Sequence, residues 1–583
     1  MEDCRFYCDR ISGENLSRHL KHPDQKLTEQ IVNFCRHIAG SCQIAGTCIC
    51  SDYVLGFSDT KTILEILLVI RDFQPRLISY VKVLDARNII VYAVDEWVFE
   101  RDVDRGFLGE ALARKMIFPY ISLMNGNYLN LQEVKLKKRL VLELLETLVL
   151  DFPELSYEFH IKPEYFMYES MLTRARLFPP MIYGLLNFMR KDVRKGNIEL
   201  VMRGYSEALK ELEEEKAVAF SDGYMKISQR FADEARSRKV RFTNLFKTAQ
   251  RTLFTSLLSI FPTALNILSQ NRETFLKFQR NARENSKLIN QLEDPHRFLY
   301  VPTARGLVPL TSKMDIEPFA REVLSPSEDA EVKIEEIGGV LNDVYLVKAV
   351  AKDKERKIVV KRFRDWSSFK WFPLTLWALG TRTFAVLGRS RLERECAINQ
   401  LLYSKGFAVP KILHVSHANR LVFMEHVEGE NLGEVIKRIV NMKNHQGITE
   451  DSGVISKVGQ KLADVHALGI ALGDTKPENL MVGQNGEIYM LDFEQASRNG
   501  DKVWDIAEFL YYSGHYVPPF ARTSSAELIT KTFIKGYLKA GGDVKLVKKA
   551  GNPKYTKVFS IFTLPLIILA ISNICRKADK LEE

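Results

Sequence analysis

One stretch near the C-terminal end constrains the fold more than any other part of the chain. It spans residues 466–495 and reads HALGIALGDTKPENLMVGQNGEIYMLDFEQ. Two short apolar runs flank the turn sequence GQNG, a pattern typical of a β-hairpin. Asp474, Asn479 and Asp492 stand at the ends of these runs. Because Mg²⁺ prefers hard oxygen ligands and shares them with phosphates, the stretch predicts a metal-assisted phosphate site on a hairpin.

The motifs GDTKPEN and LDFE within this stretch resemble the catalytic loop and the metal-binding Asp-Phe motif of protein-kinase-like phosphotransferases. The resemblance implies that Asp474 accepts or orients the acceptor hydroxyl and that Lys476 neutralises charge on the moving phosphoryl group. It also implies that Asn479 and Asp492 hold Mg²⁺. His466, on the helix that leads into the loop, is interpreted as a structural residue.

The segment that begins EVKIEEIGGVLNDVYLVKAV alternates over two strands with Gly338 and Gly339 at the turn. This fits a glycine-rich loop whose amides approach phosphates, although two glycines serve in any hairpin. The next run, KIVVKRF, places Lys361 where these kinases keep the lysine that holds the nucleotide phosphates. On a later helix Glu395 is expected to pair with Lys361. Glu393 is the alternative, and it lies on a different helix face.

Further along, the run LVFMEHV resembles the kinase hinge, where backbone groups of Glu425 and Val427 would meet adenine. The resemblance thus implies ATP and Mg²⁺ as cofactors. Two departures matter: the motif is Asp-Phe-Glu, and Leu-Gly in place of His-Arg precedes Asp474. In addition, only 12 residues separate Asp492 from Asp505, which resembles the Asp that anchors the catalytic loop, so there is no room for a long activation segment.

These departures point away from ordinary signalling kinases and toward compact atypical serine/threonine-type relatives. The chain resembles KEOPS-complex kinases, RIO kinases, lipopolysaccharide core kinases and aminoglycoside phosphotransferases, most closely the KEOPS-type and lipopolysaccharide-kinase groups, over about residues 331–540. The phosphoryl acceptor, a protein or a small molecule, stays open. The alternatives are a catalytically inactive nucleotide-binding scaffold and a membrane-associated kinase of a lipid or small polar molecule.

The N-terminal region faintly resembles the nucleotidyltransferase fold, in which paired carboxylates hold two metals. Gly46-Thr47 stands for the turn of that family, and Glu65 stands where the second Asp belongs. Ile63 occupies the first Asp position and cannot ligate a metal. Asp95 or Glu96 follows the strand NIIVYAV as a third carboxylate. We therefore expect a degenerate domain that has lost two-metal chemistry.

These patterns predict an α+β multidomain chain with a C-terminal bilobal protein-kinase-like fold. A small α/β nucleotidyltransferase-like domain and a helical domain precede it. The helical prediction rests on i, i+3, i+4 patterning and includes the run LKELEEEKAVAF. The expected parts are residues 1–128 (nucleotidyltransferase-like), 129–294 (helical), 295–330 (a linker with five prolines) and 331–583 (kinase-like).

Two stretches suggest partners beyond ATP. Residues 236–268 place a basic run beside an apolar one, and the insertion 366–388 carries three of the five tryptophans. Either could contact RNA or a membrane surface, and a solvated face followed by a packed helix is the simpler interpretation of the first. The net charge of +10 decides among none of these partners, and we expect no stable DNA complex.

The eight cysteines, which show no CxxC spacing, indicate free thiols in a reducing compartment. The charged start MEDCRFYCDR lacks the apolar core of a signal peptide, so a cytoplasmic location is expected. Residues 558–575 contain no charge and approach the length of a membrane span. A buried final helix and a membrane anchor are the two interpretations of this segment.

Overall fold

The computed structural model of the chain describes most of its residues. The described ranges are 23–50, 53–55, 63–74, 76–85, 87–177, 181–237, 294–324, 331–338, 342–351, 354–365, 385, 387–441, 445–518, 523–560 and 563–581. They form two compact units, the first reaching to Ser156 and resuming from His160 to Leu299, the second comprising Tyr157–Phe159 and the residues from Tyr300 onward. The four-part division expected from the sequence stays a prediction.

The first unit begins with helix α1 and a five-stranded sheet whose strand order is β3-β4-β2-β1-β5. The elements are α1 (Gln25–Ala39), β1 (Ile44–Ile49), β2 (Leu64–Ile70), β3 (Leu77–Leu84), β4 (Arg87–Asp95), α2 (Glu96–Arg105) and β5 (Ile121–Met124). The Asp24 carboxylate caps α1 by accepting the Leu27 amide at 2.7 Å. The apolar runs of β1, β2 and β4 are buried in the sheet, and β4 contains the expected strand NIIVYAV. The sequence analysis missed β3, an edge strand on which Val81 and Val83 are exposed.

The rest of the first unit is mainly helical. Its elements are α3 (Gly126–Asp151), β6 (His160–Ile161), α4 (Glu164–Leu177), α5 (Met181–Phe188), α6 (Arg194–Glu214), β7 (Val218–Ser221), β8 (Tyr224–Ile227) and α7 (Gln229–Ser237). The helical prediction for LKELEEEKAVAF is wrong at its end, because α6 stops at Glu214 and the residues from Val218 pair with β8. The reason is the turn between the two strands, where Asp222 and Gly223 both take positive φ, of 52° and 76°. Such a turn matches the twist of a hairpin.

The second unit contains a five-stranded antiparallel sheet, ordered β11-β12-β13-β15-β14. The elements up to this sheet's end are β9 (Leu299–Thr303), β10 (Gly306–Pro309), α8 (Ile316–Leu324), β11 (Glu331–Gly338), β12 (Asn342–Ala351), β13 (Lys354–Phe363), α9 (Gly388–Ser404), β14 (Ile412–Ser416) and β15 (Leu421–Glu425). Phe319 of α8 packs on one face of the sheet beside Val360 and Phe423. The strands and the helix expected around Lys361 are therefore present.

A helical layer follows and carries the short hairpin predicted from the sequence. Its elements are β16 (Gly429–Asn431), α10 (Leu432–Asn441), α11 (His445–Ala467), β17 (Ile470–Ala471), β18 (Leu480–Gly483), β19 (Ile488–Met490), β20 (Ser497–Arg498), α12 (Lys502–His515), α13 (Ser524–Lys539), α14 (Val544–Ala550), α15 (Pro553–Phe559) and α16 (Pro565–Arg576). Helices α11 and α13 approach so closely that a Cβ at Gly536 would overlap the Ser456 carbonyl. Together these elements surround one large apolar core.

The apolar segment 558–575 does not form one helix. Helix α15 ends at Phe559, and α16 begins at Pro565, whose fixed φ suits the first turn of a helix. Ile567, Ile571 and Cys575 are buried on α16, whereas Leu566 and Leu569 are exposed. Within the described ranges, no helix has the length and apolar character needed to cross a membrane. The alternative of a membrane-spanning anchor at this segment is therefore not supported.

Candidate active site

The site is built around one buried ammonium group. Lys361 on β13 lies 3.1 Å from a Glu395 carboxylate oxygen on α9 and 3.4 Å from Asp492 Oδ1. Burial acts to lower the pKa of Lys361, but the carboxylates of Asp492 and Glu395 raise it above its ordinary value. Lys361 is therefore charged at neutral pH and is shared by two acids that lie 97 residues apart in the sequence (492 − 395 = 97).

The structure also decides between the two acids considered for the partner of Lys361. Glu395 is 1% exposed, and its second oxygen accepts the Phe493 amide at 2.6 Å. Glu393 instead pairs with Arg389 one turn earlier on the same helix, at 3.2 Å. Because residues two apart on a helix face different ways, only Glu395 reaches the lysine.

The loop after β17 holds Asp474, Lys476 and Asn479 in a fixed arrangement. Lys476 Nζ lies 3.0 Å from Asp474 Oδ2, and Asn479 Nδ2 donates to the Asp474 carbonyl at 3.0 Å. Burial raises the pKa of Asp474, and the ammonium of Lys476 opposes that rise. Asn479 also accepts the Leu491 amide at 2.9 Å through its carbonyl, which joins the loop to the strand before Asp492. The predicted catalytic residues are thus held close to one another, while their roles stay predictions.

Helix α12 anchors this loop through two acidic side chains. Asp505 is fully buried and accepts the amides of Leu472 and Gly473 at 2.6 and 2.7 Å. This is the anchoring position expected for Asp505 from the sequence. Glu508, which the sequence analysis missed, accepts the Thr475 amide at 2.7 Å. Its i+3 spacing from Asp505 could have indicated it, since both residues then share one helix face.

His466 is held on both sides of its ring. Its Nδ1 lies 2.8 Å from the Tyr537 hydroxyl, and its Nε2 lies 3.1 Å from Asp505 Oδ2. The side chain is 4% exposed. A histidine fixed in this way supports the loop and is not placed to exchange protons with a substrate, in agreement with its structural interpretation.

Asp492 has the features of a cation ligand. It adopts a left-handed φ of 66°, which is uncommon for a residue other than glycine. Its Oδ1 atom is buried and, within the described part of the chain, accepts no hydrogen bond. Burial acts to raise the pKa of Asp492, but Lys361 and Lys476 lower it below its ordinary value. Oδ1 is also the atom that lies 3.4 Å from the Lys361 ammonium, so Asp492 would face the lysine and a cation together. A carboxylate oxygen is a hard donor of the type that Mg²⁺ prefers, and the amide oxygen of Asn479 is of the same type.

The residues predicted to face the nucleotide are described only in part. Gly338 ends β11, whereas Gly339 and the two residues after it lie outside the described residues. Glu425 ends β15, and its amide donates to the Lys411 carbonyl at 2.9 Å. A contact of Glu425 with adenine would therefore use its carbonyl group. Val427 follows in the loop before β16.

A second buried ionic group lies beside the Lys361 pair and was missed by the sequence analysis. Glu494, 1% exposed, accepts from Arg391 Nη2 at 2.9 Å and also from the Asn342 amide nitrogen. Burial and the nearby Asp492 carboxylate raise the pKa of Glu494 to about 7, and Arg391 opposes this rise. The available signal was Glu494 itself, because an acid stands where the Asp-Phe-Gly motif of protein kinases has glycine.

The carboxylates considered in the N-terminal region are engaged in local contacts. Glu65 forms an ion pair with Lys115, and Glu96 lies 2.9 Å from Arg71. Asp95 accepts the Phe73 amide at 3.0 Å. No group of three or more His, Cys, Asp or Glu side chains among the described residues could hold a metal ion. The expected loss of two-metal chemistry and the nucleotidyltransferase resemblance both stay predictions.

The two stretches suggested as partner-binding surfaces lie almost wholly outside the described residues. Of residues 236–268 only the first two are described, and of residues 366–388 only 385, 387 and 388. RNA or membrane contact through them stays a prediction.

Comparison with known proteins gives matches of moderate identity, and no family model matches the chain. It is 29% identical over 107 residues to the KEOPS complex subunit Bud32 of Pyrococcus abyssi, which is 18% of this chain and 45% of that protein. It is 26% identical over 157 residues to a probable bifunctional tRNA threonylcarbamoyladenosine biosynthesis protein of Methanobrevibacter smithii, covering 27% and 26% of the two chains. It is 26% identical over 161 residues to a probable serine/threonine-protein kinase BUD32 homolog of Archaeoglobus fulgidus, covering 27% and 72%.

The chain spans less than half the length of the first two of these relatives. The matches agree with the motifs around Asp474 and Asp492, which carry the same resemblance. Over 18% to 27% of its length the chain is therefore similar to KEOPS-type and related kinase-like proteins, which supports an atypical protein-kinase-like domain.

Proposed function

We propose that the chain is an ATP- and Mg²⁺-dependent phosphotransferase of the atypical serine/threonine-kinase class. The observation that carries this proposal is the position of Lys361, whose ammonium lies between Glu395 and Asp492. In phosphotransferases of this class such a lysine contacts the nucleotide phosphates, and its glutamate partner keeps it oriented. Both acids are in place without any phosphorylated loop.

Each polar group has a proposed part in the transfer. Lys361 binds the α and β phosphates, and the backbone near Gly338 covers them. Asp474 accepts the proton of the attacking hydroxyl, and Lys476, 3.0 Å away, offsets the charge of the transferred phosphoryl group. Asn479 and Asp492 supply oxygen ligands for Mg²⁺. Bound Mg²⁺ would neutralise charge on the phosphate oxygens and orient them.

The arrangement also bears on the acceptor. Because so few residues separate Asp492 from Asp505, the platform that binds an extended peptide in signalling kinases has no counterpart here. A folded protein surface or a compact small molecule is therefore the proposed acceptor.

A second candidate follows from the names of the relatives. Two matches are to a KEOPS complex subunit and to a tRNA threonylcarbamoyladenosine biosynthesis protein. A role of the chain in tRNA modification would fit these matches. The chain would then hydrolyse ATP as part of a complex and would not transfer the phosphoryl group to a dedicated acceptor. Stimulation of ATP hydrolysis by tRNA, steeply weakened by salt, would favour this role.

The deciding experiment is turnover of γ-labelled ATP by the purified full chain with Mg²⁺, profiled over protein and small-molecule acceptors. Asp474→Ala and Asp492→Ala are expected to lower the rate by more than about tenfold. The matched control is Asp464→Ala, which removes an exposed acid near the end of α11, before β17 and the loop. Loss of less than tenfold in either site variant would contradict the assigned roles. ATP binding in calorimetry without phosphate release would instead favour a nucleotide-binding scaffold.

A further inference from the structure

Each of the four consecutive residues in the Asp-Phe-Glu-Gln segment contacts an earlier part of the chain. Asp492 faces Lys361 on β13 at 3.4 Å, and the Phe493 amide donates to Glu395 on α9 at 2.6 Å. Glu494 contacts α9 and the start of β12, and Gln495 contacts Ala385. The segment therefore joins the sheet and α9 to the catalytic hairpin through four consecutive residues, three by their side chains and Phe493 by its backbone amide.

Glu494 makes the most heavily buried of these contacts. It accepts from Arg391, which is fully buried and lies one turn before Glu395 on the same face of α9. Arg391 also donates to the Arg364 carbonyl at 3.0 Å, just beyond the end of β13. Asn342, the first residue of β12, donates to Glu494 and accepts from Arg391. The three side chains thus satisfy one another where three elements meet.

Gln495 adds a second fixed point. Its side-chain oxygen accepts the Ala385 amide at 2.9 Å, and its nitrogen donates to the Ala385 carbonyl at 3.2 Å. Ala385 lies just before α9, whose start at Gly388 is tied to the Asp365 carboxylate by a 2.8 Å hydrogen bond. The entry into α9 is therefore held by the same four-residue segment that holds its Glu395.

We propose that Glu494 is a positioning residue that, with Arg391 and Asn342, holds α9 and β12 against Asp492 and so keeps the site assembled without an activation segment. This contact of Glu494, Arg391 and Asn342 is called the lock below. Only the expected effect of this contact on ATP turnover rests on the proposed phosphotransferase function. A buried arginine needs an anionic partner, because leaving one member of a buried pair alone is strongly unfavourable. A glycine at position 494, as in the Asp-Phe-Gly motif of protein kinases, would leave Arg391 without that carboxylate and would free α9 to shift.

The test uses the full-length chain and two independent measurements. Hydrogen exchange is followed in peptides covering α9 and residues 488–498, and ATP turnover is measured with varied ATP and Mg²⁺. Glu494→Gly, Glu494→Gln and Arg391→Lys are compared with Glu393→Gln. The last variant is a matched control. Glu393 is buried, as Glu494 is, but it lies on α9 itself and pairs with Arg389.

The lock predicts at least tenfold faster exchange in both peptides for the Glu494 and Arg391 variants and wild-type exchange for Glu393→Gln. It also predicts a kcat lowered by about ten- to hundredfold with little change in KM for ATP, as expected when reacting groups are slightly misplaced. Glu494→Gln should be milder than Glu494→Gly. If Glu494→Gly does not fold, Glu494→Gln and Arg391→Lys decide the question.

Unchanged exchange and unchanged kcat in Glu494→Gln and Arg391→Lys would overturn the lock. Full recovery of Glu494→Gly activity at high Mg²⁺ would also overturn it, since Glu494 would then act as a metal ligand. If the wild-type chain shows no turnover with any acceptor but the exchange differences appear, the proposed function fails and the lock stands.

Discussion

Replacing Lys361 by methionine should destabilise the sheet that carries it. Methionine keeps most of the side-chain volume but removes the ammonium that lies 3.1 Å from Glu395 and 3.4 Å from Asp492. Removing one member of a buried ion pair costs about 3–5 kcal/mol, since the remaining charge is left without a partner. Here two carboxylates lose the same partner, so the lower end, about 3 kcal/mol, is a conservative expectation.

Native-state hydrogen exchange of the amides in β13 measures this loss directly, without requiring the two units to unfold together. A change of about 3 kcal/mol corresponds to exchange faster by on the order of a hundredfold. The control is Lys348→Met on neighbouring β12, which breaks a half-exposed pair with Glu335 at 2.8 Å. Because that pair lies near solvent, its loss should change the exchange far less.

The double variant Lys361→Met with Glu395→Gln sharpens the test. It should be less destabilised than the sum of the two single changes by about 1–3 kcal/mol, because Glu395 no longer leaves a buried charge. Additive losses, or unchanged exchange in Lys361→Met, would show that the ammonium does not hold these acids together in solution.

Three further outcomes are expected. Gly536→Ala should lower the free energy of unfolding by about 1–3 kcal/mol, because the added methyl group would overlap the facing helix. Gly453→Ala, at an open helical position, should not lower it. Thermal denaturation of the full chain compares the two variants. Iodoacetamide near pH 7.5 should label Cys50 before Cys35, as measured by peptide mapping. The Cys48 thiol and Lys115 lower the pKa of Cys50, whereas burial raises the pKa of Cys35 to about 12. Equal labelling would contradict this expectation. Asp505→Asn should lower the free energy of unfolding by about 1–3 kcal/mol and slow ATP turnover, because a side-chain amide cannot accept from both loop amides and from His466. A variant with normal turnover would argue against loop anchoring.

Much of the second unit could be predicted from local sequence. The hairpin after Asp474 follows from two apolar runs around GQNG, and the strand before Lys361 follows from alternation. The first unit was harder to predict. Strand β3 was missed because its side chains are largely exposed and give no buried face. Strand β7 was assigned to a helix because the i, i+3, i+4 pattern of the preceding residues was extended across it. In that second case the Asp-Gly turn at 222–223 outweighed the helical pattern.

By itself the sequence determined the chemistry of the candidate site, because residue types and short spacings fix which groups can bind phosphate and metal. Only the tertiary structure decided how those groups are held. Glu395 and not Glu393 reaches Lys361 because helix geometry and packing orient one face of α9 toward β13. Asn342 and Glu494 are 152 positions apart, and no local periodicity relates them. Their contact exists because a buried charge must find its partners wherever the fold brings them.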